Sequence, residues 1–268
     1  MNFRNLLITL LLGITLAVAA AFALAMTGNQ GPSTPSTPSS TPPGATPSPW
    51  LTPVTPRTVK PPTIDRFGNR LKDKGIEEGS VLPQDPAARI PSNRPDYLSA
   101  APARMQWQRG WGGAALPFSG SDGPAQIRSG VASGFAPTPQ GAALAAADAL
   151  ARVLAAPEGV WQQVLAQRYH GGGKALEARF ARARSSTPDA AQFVAVPEGF
   201  RVLPDYRPDF AVVQIATKAP GGSAYSTWPM TWNDGDWRVR VPDVIETLWA
   251  PATPITSLVD FTSWKSTP

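Results

Sequence analysis

The side chains able to do acid–base, nucleophilic or metal chemistry are few in this sequence and poorly grouped for it. There is one histidine, His170, followed by three glycines. At a helix end such a residue caps carbonyls and meets solvent. Asp205, Tyr206 and Asp209 gather between two predicted strands, beside Pro204 and Pro208, and read as turn chemistry. Asp234 and Asp236 fall in an Asn-Asp-Gly-Asp turn and lack the distant bidentate acid of a calcium loop. A Ser-His-Asp set would have to use the lone histidine, and no G-x-S-x-G elbow frames a serine. The Gly-rich SGSDGP piece lacks the Lys-Ser/Thr ending of a phosphate loop. Cysteine is absent, which removes thiol chemistry and cysteine metal sites. The sequence therefore assigns no catalytic, metal-ligating or cofactor-binding residue and implies no cofactor. What remains is aromatic. Of nine tryptophans, Trp228, Trp232 and Trp237 share one predicted face, where they line a ligand pocket or fill a core.

The elements that would position these residues begin after a long preface. Residues 6–26 form 21 uncharged, mostly apolar positions, enough to cross a bilayer core of roughly 30 Å as a helix. Arg4 and the amino terminus precede the run, and no basic residue follows until Arg57. That asymmetry predicts a single-pass anchor at the cell membrane, with residues 1–5 cytoplasmic and the rest extracytoplasmic. The competing reading is a cleaved secretory signal, for which Ala23-Leu24-Ala25 has the right small-x-small form; the run is longer than a usual signal core. Residues 27–63 contain eleven prolines among Ser and Thr, an extended linker reaching on the order of 100 Å. Residues 64–104 are more charged, broken by Pro and Gly, and read as a loosely ordered extension strapped onto the domain or a partner. The net charge of +5 is spread thinly, with no block of five Lys/Arg, which argues against nucleic acid as a partner.

The domain spans 105–250, followed by a tail over 251–268. Residues 105–135 set large apolar anchors among glycines, predicting short strands and tight turns. Thr138 and Pro139 then begin a helix as N-cap and first-turn residue. Leu144, Ala147, Ala151 and Leu154 share its buried face, and Asp148 and Arg152 pair at i,i+4 on another. A second helix from Pro157 buries Val160, Trp161, Val164 and Leu165 and ends at Gly171–Gly173. A third turns Leu176 and Phe180 inward and Glu177, Arg179, Arg182 and Arg184 outward. After residue 190 the period changes to 2. The segments 200–206 and 210–218 read as strands, the second central, and 226–242 as a hairpin. In that hairpin Trp228, Met230, Trp232, Trp237, Val239 and Val241 face one way, Arg238 and Arg240 the other, and Pro229 marks an edge or a bulge. Three helices followed by an antiparallel meander make an α+β domain with helices on one face of the sheet.

That order, with the closing W-x-x-G-x-W-x-V hairpin of Trp232, Gly235, Trp237 and Val239, resembles the nuclear-transport-factor-2-like (NTF2-like) cone fold. With one span ahead of it, the arrangement looks like the bitopic assembly subunits of type IV secretion and conjugation machines. The stretch Leu116-Pro117-Phe118-Ser119, Asp122-Gly123-Pro124, Gly130-Val131-Ala132-Ser133-Gly134-Phe135 and Thr138-Pro139-Gln140-Gly141 is similar to membrane-anchored proteins of actinobacterial conjugative elements. Those more often carry His where this chain has Pro137, so no catalytic role is transferred there. The resemblance implies a non-enzymatic, membrane-tethered scaffold of a cell-envelope apparatus. Its partners would be other envelope proteins and copies of itself. The alternative is an exported small-molecule-binding or enzymatic domain. That reading requires a cavity of several hundred Å³ walled by Trp228, Trp232 and Trp237 and containing a buried acid.

Overall fold

The computed structural model describes residues 62–266. The expected anchor and nearly all of the linker lie outside the described residues. Among the described residues no helix is long and apolar enough to cross a membrane. In chain order the strands and helices are β1 (Thr63–Ile64), β2 (Arg70–Leu71), β3 (Gln106–Arg109), β4 (Ala115–Phe118), β5 (Gln126–Arg128), β6 (Val131–Ser133), α1 (Pro139–Ala155), α2 (Val160–Arg168), β7 (Tyr169–His170), α3 (Gly173–Ser186), β8 (Gly199–Val202), β9 (Phe210–Ala219), β10 (Gly222–Asn233), β11 (Asp236–Arg240) and β12 (Thr253–Ile255). Three short antiparallel hairpins, β1–β2, β3–β4 and β5–β6, precede the helices, and the main sheet follows in the order β7-β11-β10-β9-β8. The domain is α+β.

Helix α1 is the centre of the molecule. Thr138 Oγ1 accepts from the Gly141 amide at 3.0 Å, Pro139 opens the first turn, and all but three of the 17 residues are buried. Alanine-rich sequence makes that possible. With so little side-chain bulk, the helix lies against β9 and β11 on one side, β4 on another and α2 on a third. Gly141 carries the tightest approach: a Cβ there would stand 2.1 Å from the Ala136 carbonyl oxygen. Leu176 and Phe180 of α3 are buried as the spacing predicts, Phe180 packing edge-on against Tyr169 and Trp249.

Three local expectations are corrected. Helix α2 stops at Arg168, before the glycines, because Tyr169 and His170 leave it to pair in parallel with Val239 and Arg240 of β11. Arg184 does not face outward. Its guanidinium donates to the carbonyls of Val153, Leu154 and Ala156 at 2.8, 2.7 and 2.6 Å, capping the C-terminus of α1 from α3. Pro229 sits in an interior strand, opposite Val212 of β9. The Trp232 amide donates to Asp209 on the β9 side, so the alternating Pro229 nitrogen faces β11, and pairing with β11 stops at Met230–Val239 just before it.

The sheet register fixes its two faces. Val213, Ile215, Trp228, Met230, Trp237 and Val239 are buried on the helix side, and Phe200 is buried on the same side between Trp107 and Trp264. Asp234 and Gly235, both at positive φ, form the two-residue turn between Asn233 and Asp236. The tail bridges Phe200 through Thr262, sets Phe261 against Tyr225, and brings Trp264 round the β8 edge to stack on Phe200. Residues 64–104 are pinned to the domain by remote side chains. Buried Gln108 brackets Ser80, accepting from its amide and donating to its carbonyl, and Gln140 donates to the carbonyls of Tyr97 and Ala100.

Candidate functional site

The chemically richest part of the domain is a charged interior at the junction of α1, α2 and β11. Asp236 opens β11, and its carboxylate accepts four hydrogen bonds. These come from the amides of Gly134 (2.8 Å), Phe135 (3.2 Å) and Trp237 (2.8 Å) and from Nη1 of Arg168 (2.6 Å). Arg168 is the last residue of α2. Its Nη2 donates to the Trp237 carbonyl at 2.5 Å, and its guanidinium lies 5.1 Å from the Phe135 ring centroid. One ion pair thus ties helix, hairpin and the loop ahead of α1 together.

A second pair lies wholly inside. Arg152 Nε donates to Asp148 Oδ1 at 2.7 Å with both side chains 0% exposed, so the i,i+4 pair is an interior contact and not a solvated one. Arg152 also donates to the Gly130 carbonyl at 2.9 Å and lies 5.6 Å from the Trp111 ring centroid. Burial pushes the Asp148 carboxyl up, against the pull of Arg152 and the more distant Arg168. The same environment, with Asp148 close by, drives the buried Tyr169 phenol well above its ordinary value of 10.0.

The third charged element is Asp122, inside the buried SGSDGP turn. It accepts from the hydroxyls of Ser121 and Thr138, while Ser119 Oγ donates to the Ala103 carbonyl and accepts from the Ser121 and Asp122 amides. Thr138 is therefore fixed from both sides as the α1 cap. Every hydroxyl and carboxylate here is committed to a partner in the chain, so the turn holds a helix N-terminus in place.

The residues singled out from sequence are dispersed. Trp237 is fully buried with its Nε1 donating to the Ala136 carbonyl at 2.8 Å; Trp228 is buried and donates to Ser226 at 2.8 Å; Trp232 is half-buried, 5.4 Å edge-on from Trp237. All three pack in or against the main core. His170 is exposed on β7, beside Arg240. Tyr206 donates to the Pro137 carbonyl at 3.0 Å and meets Tyr97 edge-on, and burial raises its phenol. Asp205 and Asp209 are exposed, Asp209 pairing with Arg207. Asp234 pairs with Arg238 at 2.9 Å. Asp236, read as a turn residue, is the hub. Nothing in the sequence assigns a role to Asp122 or Arg168. A helix-terminal Arg, an Asp opening a strand and a Gly-flanked acid are the only traces they leave. Among the described residues no three His, Asp or Glu side chains gather closely enough to hold a metal ion.

No curated protein and no solved structure matches the chain. Residues 73–263 match the family described as "Domain of unknown function (DUF8175)", a span that takes in most of the pinned extension, the helices, the sheet and the tail up to Ser263. The chain belongs to that family.

Proposed function

We propose that this protein is a non-enzymatic, membrane-tethered scaffold or assembly component of a conjugative or type IV secretion-like cell-envelope apparatus. Residues 6–26 would hold it in the membrane, and the Pro/Ser/Thr-rich stretch would give its extracytoplasmic domain reach. The domain is read as an NTF2-like cone on the order of its elements from residue 139 onward: three helices, then a meander that includes the Trp232–Trp237 hairpin. One observation carries the non-enzymatic part. The charged interior is spent on cohesion: Asp236 bonds to three backbone amides and to Arg168, Arg168 also to the Trp237 carbonyl, Arg152 to Asp148 one turn away and to the Gly130 carbonyl, and Asp122 to the Thr138 hydroxyl. A domain that fixes its own loops so firmly presents rigid surfaces, which suits work done through protein–protein contacts.

The test is affinity isolation of the intact, membrane-extracted protein from its native cells, followed by mass spectrometry. The proposal expects envelope secretion or conjugation proteins, or further copies of the chain, in stoichiometric amounts. Isolation of the chain alone, from gently solubilised membranes, would overturn it.

A further inference from the structure

The sheet has a second face that the helices do not touch. Residues alternate along each strand, so the register places Arg201, Gln214 and Thr227 in one row across β8, β9 and β10. Val212 and Pro229 form the next row. The β10–β11 register, carried one step on, sets Arg240 beside them, and His170 of β7 is paired with Arg240. Phe210, Thr231 and Arg238 make the third row. The tail crosses this face only at its other end, where Phe261 meets Tyr225 and lies against Gly199. The three rows are left uncovered by any helix of the domain.

The unpaired positive charge of this surface lies toward its β11–β7 side, away from the neutral middle. Arg240 and His170 are exposed, and among the described residues Arg240 has no carboxylate partner. The acids that reach the face are at its rim. Asp260 stands 3.6 Å from Arg201, and Asp234 stands 2.9 Å from Arg238, with carboxylate side chains 64% and 73% exposed. Such exposed pairs contribute little and exchange readily for better ones. Between the arginines lie the short side chains of Thr227, Thr231, Pro229 and Val212, with Gln214 buried in the first row and Phe210, under the Arg207 guanidinium, in the third.

We propose that this open sheet face is the docking surface of the scaffold and that its partner is an acidic, extended polypeptide segment. The proposal deepens the scaffold reading and rests on it. Arg238 and Arg240 are two residues apart on one strand, roughly 6.8 Å, which matches carboxylates at every second position of an extended chain. Arg201 lies three strands across and one row along from Arg240, about 16 Å, within reach of a carboxylate about five residues further along a segment crossing the sheet. A second copy of this face would set arginines against arginines, so like copies do not pair through it. The basic strip lacks the length of continuous positive charge that duplex nucleic acid needs.

The experiment uses the full-length protein in zwitterionic nanodiscs and labelled poly-L-glutamate as probe, read by fluorescence anisotropy. Binding is expected at low salt and should fall about tenfold or more between 50 and 300 mM salt, as exposed charge contacts are screened. Arg240→Glu and Arg238→Glu should each weaken it by about tenfold, a loss of ~1.4 kcal/mol. Lys74→Glu, in the β2–β3 connection, whose strand β3 packs on the opposite, inner face of the sheet through Trp107 and Phe200, should leave it unchanged. A chain that does not bind poly-L-glutamate overturns the proposal, as does binding unaffected by the two arginine variants. Equal or tighter arginine-dependent binding to duplex DNA or to anionic vesicles also overturns it, by assigning the face to another class of partner. Failure here alongside successful isolation of envelope partners would leave the scaffold reading standing. Specific poly-L-glutamate binding by a protein isolated without partners would do the reverse.

Discussion

Replacing Asp236 by alanine removes the acceptor of four hydrogen bonds in one step. Three backbone amides, on Gly134, Phe135 and Trp237, lose a charged partner, and Arg168 is left with its guanidinium buried and only the Trp237 carbonyl to bond. Breaking a buried ion pair from one side costs about 3–5 kcal/mol, because the surviving charge cannot be hydrated. Orphaned amides cost about 1 kcal/mol each where water cannot reach them. Some overlap is expected, since the loop at 134–135 will move outward to find water, so the net loss should be about 4–5 kcal/mol. Against a domain stability of about 5–15 kcal/mol, that is a large fraction. Urea denaturation followed by tryptophan fluorescence measures it, because Trp237 is adjacent and fully buried. Asp236→Asn keeps an acceptor but not the charge and should lose about 3 kcal/mol. The double-mutant cycle with Arg168→Met is decisive. The account expects a coupling of at least about 2 kcal/mol. A loss below about 1 kcal/mol for Asp236→Ala, or additive effects in the cycle, would refute the view that this pair locks the hairpin to the helices.

Further outcomes follow from the same interior. Arg184→Ala exposes three carbonyls at the α1 C-terminus and should lower stability by about 2–3 kcal/mol, with Arg184→Lys recovering part of it; equal stability of both with the native chain contradicts the capping role. Gly141→Ala forces a methyl onto the Ala136 carbonyl and should destabilise by at least about 3 kcal/mol in the same denaturation assay, although alanine is the better helix former. The Tyr169 phenol is held protonated in the folded state, while the unfolded chain ionises it near 10.0, so the unfolded state gains stability as pH rises. Stability should therefore fall above about pH 10, by up to ~1.4 kcal/mol per pH unit from this group. Tyr169→Phe should flatten that slope in urea titrations taken from pH 9 to 11.

How far the sequence could carry this picture depends on what each residue must meet. Helix α1 announces itself locally, through Thr138-Pro139 and the alanine-and-leucine period, and the hairpin through Asn-Asp-Gly between alternating tryptophans and arginines. The sheet's inner face, from Phe200 to Val239, is equally plain in the period of 2. The charged interior is not. Asp148 and Arg152 have the spacing of a solvated helix pair, and only the wrapping of α1 by β4, β9, β11 and α2 puts both at 0% exposure. Arg184 looks like any arginine of an exposed helix until the end of α1 is seen beneath it. Asp236 has the composition of a turn, and its four partners lie up to 102 residues away. Residues 64–104 show no period because Gln108 and Gln140 hold them by bonds to backbone, which any sequence offers equally.

The most direct trial of the scaffold reading is crosslinking in intact native cells, with a photoactivatable residue at Arg240, followed by separation of membrane and culture fluid. The account predicts that the chain stays in the membrane fraction and is trapped in discrete higher-mass adducts with envelope proteins. A chain recovered only as monomer, or free in the fluid with its first 25 residues removed, would contradict it.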